Sequence, residues 1–285
     1  MSVLSRAVRS RARRMIRAIG WRYREATWRS RPLPTIIVIG AQKAGTSSLF
    51  AYMSQHPQLS PSCKKEVHFF DGGKDASFDA YELGQRWYRA HFSSAGPGAS
   101  CKAFEASPNY LLNPLAPERM FGLLPEARLI VLLRNPTERA ISHYFHNKRE
   151  GHEEPLPIGE AMQREEERLA PAIEHRDYKS AAFRQYSYKY RGLYRERLEG
   201  FLKVFPRTQL LILNSERFFA EPADALRRVF GFAGVDEEFT VRDLRPRNVG
   251  SRKEDVPSGV YEYLNDFFRL HNRALYDLVG EDYGW

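Results

Sequence analysis

The stretch Thr35–Phe50, TIIVIGAQKAGTSSLF, decides the fold. Its first six residues form a continuous apolar, β-branched run, as expected of a strand buried on both faces. Gly40 and Gly45 follow with four residues between them. Thr46, Ser47 and Ser48 then open a segment in which Leu49, Phe50 and Met53 share one helical stripe, ending before His56-Pro57. Strand, glycine turn and helix in that order make an anion cradle, because backbone N–H groups and the positive end of the helix converge. The spacing starts like the phosphate signature G-x-x-x-x-G-K-[ST] of ATP- and GTP-using enzymes. Here Thr46 stands in the lysine's place, and the one lysine, Lys43, lies inside the loop. A strand-to-helix turn without a ligand is the bland reading. A lysine and three hydroxyls on one turn argue for an anion.

The same pattern recurs along the chain. RLIVLL (residues 128–133) is a second buried strand, followed by a helix with Pro136 in its first turn and Ala140, Ile141, Tyr144 and Phe145 on one face. QLLIL (209–213) is a third strand. An amphipathic helix precedes it over 188–205, with Leu193, Tyr194, Leu198, Phe201, Leu202 and Phe205 inward. A further helix is expected over 258–279. This alternation predicts one α/β, P-loop-like domain with a central, mostly parallel sheet and helices on both faces. Residues 150–178, charged and proline-containing, read as an inserted helix or lid.

The chain has 285 residues, 42% of them apolar and 28% charged, with a net charge of +9. Residues 1–34 hold ten arginines and one glutamate; the rest holds 34 basic and 34 acidic residues. The excess charge is therefore local, which argues against a nucleic-acid-binding face spread over the fold. The chain divides into a basic arm and linker, 1–34, and a domain, 35–285, with RSRPLP (29–34) as the linker itself. In the arm, Leu4, Val8, Ala12, Met15, Ile16 and Ile19 recur at helical spacing, while Arg6, Arg9, Arg13, Arg14 and Arg17 fall largely elsewhere. Such a helix either meets an anionic membrane surface, or is a solvated arm or a helix packed on its own domain. No apolar run approaches the ~18–20 residues of a membrane span, and the start lacks the roughly 7–15-residue apolar core of a secretory signal. With the arginine-rich composition, the expectation is a cytoplasmic protein, peripheral on the inner face of the membrane. The two cysteines, Cys63 and Cys101, fit a reducing compartment, and the sequence leaves open whether they pair.

Two further constellations carry chemistry. In CKKEVHFFD (63–71), an extended backbone puts Glu66, His68 and Phe70 on one face, with Asp71 just beyond. A carboxylate beside an imidazole is a general base with its orienting partner; an ordinary surface charge pair is the bland alternative. In LLRNPTERAISHY (132–144), Arg134 ends a strand and Ser142 follows on the next helix, beside its apolar stripe. A strand's C-terminal end faces the crevice where α/β sheets bind ligands, and guanidinium with hydroxyl suits a phosphate. The bland reading is a capping or packing arginine. A kinase or ATPase favours an acid here, to hold magnesium.

Together these motifs resemble the sulfotransferases that use 3′-phosphoadenosine 5′-phosphosulfate (PAPS). QKAGTSSL is similar to that family's 5′-phosphosulfate loop, RNPTERAISHY to its 3′-phosphate motif, and KKEVHFFD to the heparan sulfate 3-O-sulfotransferase branch. FPRTQLLILNSERF and LYDLVGEDYGW extend the resemblance, which runs from Thr35 to Trp285. It implies transfer of a sulfuryl group from PAPS, leaving 3′,5′-diphosphoadenosine (PAP), to a hydroxyl or amine of a carbohydrate, glycolipid or small alcohol, without a metal. Lys43 would meet the bridging oxygen. Thr46, Ser47 and the loop from Ala44 and Gly45 to Ser48 would hold the 5′-phosphate. Arg134 and Ser142 would bind the 3′-phosphate, and Arg252, in the late loop RNVGSRK, would close over the nucleotide. Glu66 would take the acceptor's proton. His68 would orient Glu66 or the acceptor, and Asp71 would face the substrate.

The chain also departs from the 3-O branch, which has an arginine at Ser47, a lysine at Ala106 in FEASPNY, and a cysteine pair in a C-terminal loop. These losses put heparan sulfate as acceptor in doubt. The competing readings are a metal-dependent nucleotide phosphotransferase with a divergent loop, and a binding or scaffold protein that retained the fold.

Overall fold

The apolar run of Thr35–Gly40 becomes the middle of the sheet. The computed structural model describes residues 3–75, 77–94, 101–153, 156–248 and 255–285, with side chains at residue 11 and from residue 15 onward. Five strands, β1 (Ile36–Gly40), β2 (Leu59–Pro61), β3 (Lys102–Ala106), β4 (Arg128–Leu133) and β5 (Leu210–Asn214), form one sheet in the order β2-β3-β1-β4-β5. Every pairing is parallel: Ile36 sits between Phe104 and Arg128, and Leu129 pairs with Leu210. Ile36, Ile37, Val38 and Ile39 are fully buried, as a central parallel strand requires. From β1 the chain moves to one edge of the sheet, and from β4 to the other. The crevice for a ligand therefore opens between the C-terminal ends of β1 and β4.

The helices are α1 (Val3–Ala26), α2 (Thr46–Met53), α3 (Gly84–Arg89), α4 (Ala116–Leu123), α5 (Pro136–Glu150), α6 (Ile158–Gln163), α7 (Glu165–Glu174), α8 (Ala181–Tyr186), α9 (Tyr194–Leu202), α10 (Ser215–Ala220), α11 (Pro222–Ala233) and α12 (Ser258–Val279). The apolar faces of α2, α9 and α11 join the sheet in one core, while α5, α6 and α12 enclose a second, around Ile141, Met162 and Phe268.

Three sequence expectations need correcting. Strands β2 and β3 were invisible to apolar-run reading. The first is a three-residue edge strand that tolerates Pro61. The second buries a charged residue, Glu105, in its middle. The helix expected over 188–205 is only Tyr194–Leu202, because buried Arg191 turns the preceding chain to reach the Asn109 side chain and the Arg184 carbonyl. The presumed linker is packed: Arg31 is buried and donates to the Phe92 carbonyl at 2.8 Å. Cys63 and Cys101 are both free. They flank opposite ends of the β2–β3 pair, roughly 15 Å apart at about 3.3 Å per residue, well beyond the ~7 Å limit for a disulfide.

Candidate active site

At the C-terminal edge of the sheet, a cleft of about 730 Å³ opens where the loops after β1, β2 and β4 meet. It is lined by Lys43, Gly45, Thr46, Ser47, Glu66, Arg134 and Ser142. Side chains drawn from three separated motifs thus share one surface.

The first wall is the loop after β1. Its two glycines are required by close approach. A Cβ on Gly40 would stand 2.5 Å from the Leu111 Cβ, and one on Gly45 would stand 2.7 Å from the Phe219 ring. Gly45 also has φ +96°, in the left-handed region. Among the described residues, the backbone N–H groups of Gly45, Thr46 and Ser47 meet no acceptor, and they sit at the positive end of α2. Lys43 lines the same space. Burial lowers its pKa, and the cations Arg149, Arg134 and Arg139 lower it further. The cradle is short of negative charge.

The second wall is β4 and α5. Asn135 caps α5 by accepting the Glu138 N–H at 3.2 Å, and Pro136 takes the first turn, as its fixed φ favours. Arg134 donates to the Lys43 carbonyl at 3.1 Å and lies 3.5 Å from the Glu138 carboxylate. It therefore ties the two walls together while its guanidinium borders the cleft. Ser142 lines the cleft two turns further on.

The third wall is the loop after β2. It is not extended: Glu66 and His68 have φ +64° and +58°. Alternate side chains still meet, but through two left-handed residues. His68 Nε2 lies 3.4 Å from Glu66 Oε2, and His68 Nδ1 lies 2.6 Å from Asp71 Oδ2. Phe70 does not share that face; it is buried against Tyr88 and Tyr110. The loop is held from behind by β3 and the residues after it. The Glu66 N–H donates to the Ala106 carbonyl, the His68 N–H to Ser107 Oγ and the Phe69 N–H to the Tyr110 hydroxyl. Ser107, Tyr110 and Tyr88 in turn donate to Glu105, whose carboxylate is fully buried. Asn109 donates to Asp71 at 2.7 Å.

This arrangement sets the charges. The hydrogen bond from His68 holds the Glu66 carboxyl far below the usual carboxylate range; burial opposes this, while Lys65 at 3.1 Å and Lys74 at 3.0 Å assist it. Burial disfavours a charged His68, but Asp71 and Glu66 outweigh it and raise the imidazole pKa. Burial also opposes charge on Asp71, and His68 and Asn109 outweigh that to lower its pKa. The result is a carboxylate–imidazolium–carboxylate chain with only Glu66 open to the cleft.

Three of the expected site residues lie elsewhere, and a fourth is not among the described residues. The Asp71 side chain is fully enclosed, so it supports His68 rather than facing a substrate. Ala44 is buried with its N–H donating to the Ala41 carbonyl. Ser48 is buried, and its hydroxyl accepts the Arg247 N–H at 2.9 Å. Arg252 falls outside the described residues. Just before it, Asn248 borders the cleft and donates to the Ser47 hydroxyl at 3.2 Å. Sequence reading missed Lys65, His146, Arg149 and Phe219, which also line the cleft. His146 and Arg149 follow Ser142 by four and seven positions, so helical spacing alone could have found them.

Comparison with known proteins follows the same outline. The sulfotransferase domain family matches residues 33–248. Over 279 residues the chain is 30% identical to heparan sulfate glucosamine 3-O-sulfotransferase 6 of Mus musculus, spanning 90% of this chain and 74% of that one. It is 28% identical to the bifunctional heparan sulfate N-deacetylase/N-sulfotransferase 1 of Xenopus laevis, spanning 86% of this chain but 30% of that protein. A solved sulfotransferase structure from Alicyclobacillus acidocaldarius matches with a TM-score of 0.71 at 29% identity, covering 88% of this chain and 97% of that one.

Proposed function

The chain belongs to the sulfotransferase domain family, and from that premise we propose that Glu66 and Lys43 drive sulfuryl transfer from PAPS to a saccharide acceptor. The phosphotransferase reading is set aside, since the family match and Arg134 at the end of β4 both oppose it. The family uses PAPS as its sulfate donor. The residues present fit such a donor: three N–H groups without an acceptor among the described residues, a lysine and two hydroxyls stand at the N-terminal end of α2, where a Cβ on Gly45 would clash. Gly45, Thr46 and Ser47 would hold the 5′-phosphate, with Arg134 and Ser142 for the 3′-phosphate. When bound, the donor supplies a sulfuryl group on a phosphate leaving group. Lys43 neutralises the negative charge that gathers on that phosphate, as preorganised cations and amides do.

Glu66 takes the proton of the acceptor. It is ionised at every physiological pH, and its counter-charges set how strong a base it is. Lys74, whose side chain is 63% exposed, is the partner an incoming acceptor can displace. Losing it raises the Glu66 pKa only in part, because the hydrogen bond from His68 is the larger cause of its lowering. His68 acts through Glu66 as a positioning residue.

The saccharide reading is supported by the names of the relatives, which act on heparan sulfate, one at oxygen and one at nitrogen. The two positions that lack the 3-O branch's basic residues differ in kind. Ser47 lines the cleft, whereas Ala106 is fully buried and serves Glu66 through its carbonyl. The observation that carries the proposal is that Lys43 and the amides of Gly45, Thr46 and Ser47 share one cleft with Glu66. The test is transfer of labelled sulfate from PAPS to a panel of oligosaccharides, glycolipids and simple alcohols, with PAP binding measured in parallel. Transfer to a saccharide is expected. PAP binding without transfer to any acceptor would return the chain to a non-catalytic binding role.

A further inference from the structure

Helix α1 offers two faces with different fates. Its last turns dock on α3: the Trp21 ring lies 4.7 Å from the His91 ring and 6.1 Å from Trp87, and Arg24 donates to the Ala90 carbonyl at 2.6 Å and to the Phe92 carbonyl at 3.0 Å. At about 100° per residue, Met15, Ile16, Ile19 and Tyr23 fall on a stripe roughly opposite Trp21 and Arg24. These four are 62%, 66%, 61% and 65% exposed. Arg11 and Arg22 are exposed beside them. The helix is thus fixed to the body by one face and presents an apolar, cation-flanked face to the outside.

We propose that this face seats the enzyme on an anionic lipid bilayer, with Met15, Ile16, Ile19 and Tyr23 in the boundary between headgroups and acyl chains. The charge distribution selects that occupant. A second copy of α1 would bring arginines against arginines, which repel. A nucleic acid would use the arginines and leave the apolar stripe in water. A bilayer with anionic headgroups uses both. Among the described residues no helix is long and apolar enough to cross a membrane, so the attachment lies on the surface.

The anchor is mechanically close to the chemistry. The His91 carbonyl, on the docking floor of α1, accepts the Cys63 N–H at 2.7 Å. Lys64 stands over the Trp87 ring at 5.8 Å, and the next two residues, Lys65 and Glu66, line the cleft. A saccharide carried on a membrane lipid would therefore be presented near the base. That last step rests on the sulfotransferase reading, whereas attachment itself does not.

The experiment is co-sedimentation of the full chain, without nucleotide, with vesicles of phosphatidylcholine alone or mixed with phosphatidylglycerol, beside a duplex RNA control. Binding to the mixed vesicles is expected. It should fall more than about tenfold in an Ile16→Glu/Ile19→Glu double variant, and about fivefold for each of Arg11→Ala and Arg22→Ala. PAP affinity should stay unchanged in all of them, which certifies the fold. Unchanged vesicle binding in the double variant overturns the proposal. So does duplex RNA bound as tightly as the mixed vesicles, or a dimer that the double variant dissolves. With a glycolipid acceptor in the same vesicles, the double variant should lose only the advantage of lipid-borne over free saccharide. Vesicle binding without any sulfate transfer would fault the catalytic reading and leave the anchor standing.

Discussion

The loops after β1 and β2 face each other across the cleft, and they differ in how far they depend on the rest of the chain. The loop after β1 relies mainly on glycines and a helix N-terminus: Gly40 and Gly45 stand at points of close approach and Gly45 is left-handed, while Lys43 is the one left-handed non-glycine residue there, at φ +69°, its carbonyl held by Arg134. The loop after β2 has its left-handed turns at Glu66 and His68, neither of them a glycine. Such turns cost energy in non-glycine residues and persist only where the surroundings enforce them. The enforcement comes from the residues of FEASPNY, through Glu105, Ser107, Asn109 and Tyr110. A binding surface can be written into local sequence, whereas a positioned base needs a scaffold from another strand.

The sharpest way to break this contrast is to remove the base and keep its loop. Glu66→Gln should lower turnover by about 10²–10⁴-fold, the usual contribution of general base catalysis, while PAP binding survives. Steady-state rates beside calorimetric titration with PAP check it. Near-normal turnover would mean that the proton leaves by another group.

A paired substitution separates the two modes of support. Glu105→Ala strips the acceptor from two tyrosines and a serine in a sealed site, at a cost of roughly 1–3 kcal/mol for the donors left unsatisfied. It should lower kcat through a loosened Glu66 and leave PAP affinity nearly intact. Gly45→Ala strains a residue at φ +96° against the Phe219 ring, also by roughly 1–3 kcal/mol, and should do the reverse, weakening PAP binding most. Thermal melts, PAP titrations and kcat on both variants test the prediction. Equal losses of PAP affinity would show the two loops to be one unit.

The same contrast explains what the sequence made readable. β1, β4 and β5 announce themselves as apolar runs because they are buried on both faces, and α12 was legible end to end from its period. Arg134, Lys43 and the Thr46 and Ser47 hydroxyls were legible because a strand's end and a glycine turn bring them to the cleft. β3 was not, since its key residue is a buried carboxylate, which no apolar pattern signals. Nor was the true shape of the Glu66 loop. The period-2 argument paired Glu66 with His68 correctly but on the wrong backbone, and it could not see that Asp71 points inward. Arm and linker divide likewise. The amphipathic stripe of α1 was in the sequence, but its docking depends on Trp87 and His91, far along the chain.

The smallest effect is also the most specific to the held loop. His68 carries a raised pKa in the fold, so the folded chain binds that proton more tightly than the unfolded one. The stability this contributes is complete below the ordinary imidazole value of 6.5 and drains away as pH rises through the folded value. Asp71 and Glu66, both lowered, contribute above their ordinary values of 3.8 and 4.5 and lose that only as pH falls through their folded values. The three groups together are therefore worth most between those limits, in the weakly acidic range. In Asp71→Asn the imidazolium loses its closest counter-charge, and the folded His68 pKa drops back toward the unfolded one. Melting temperature in the wild type should decline as pH is raised above about 6.5; in the variant it should start lower and decline less. Each pKa unit of lost coupling corresponds to roughly 1.4 kcal/mol, or a few degrees in a domain of this size. Parallel curves would mean that His68 is held by Glu66 alone, and that the enclosed carboxylate serves Asn109 and the backbone rather than the base.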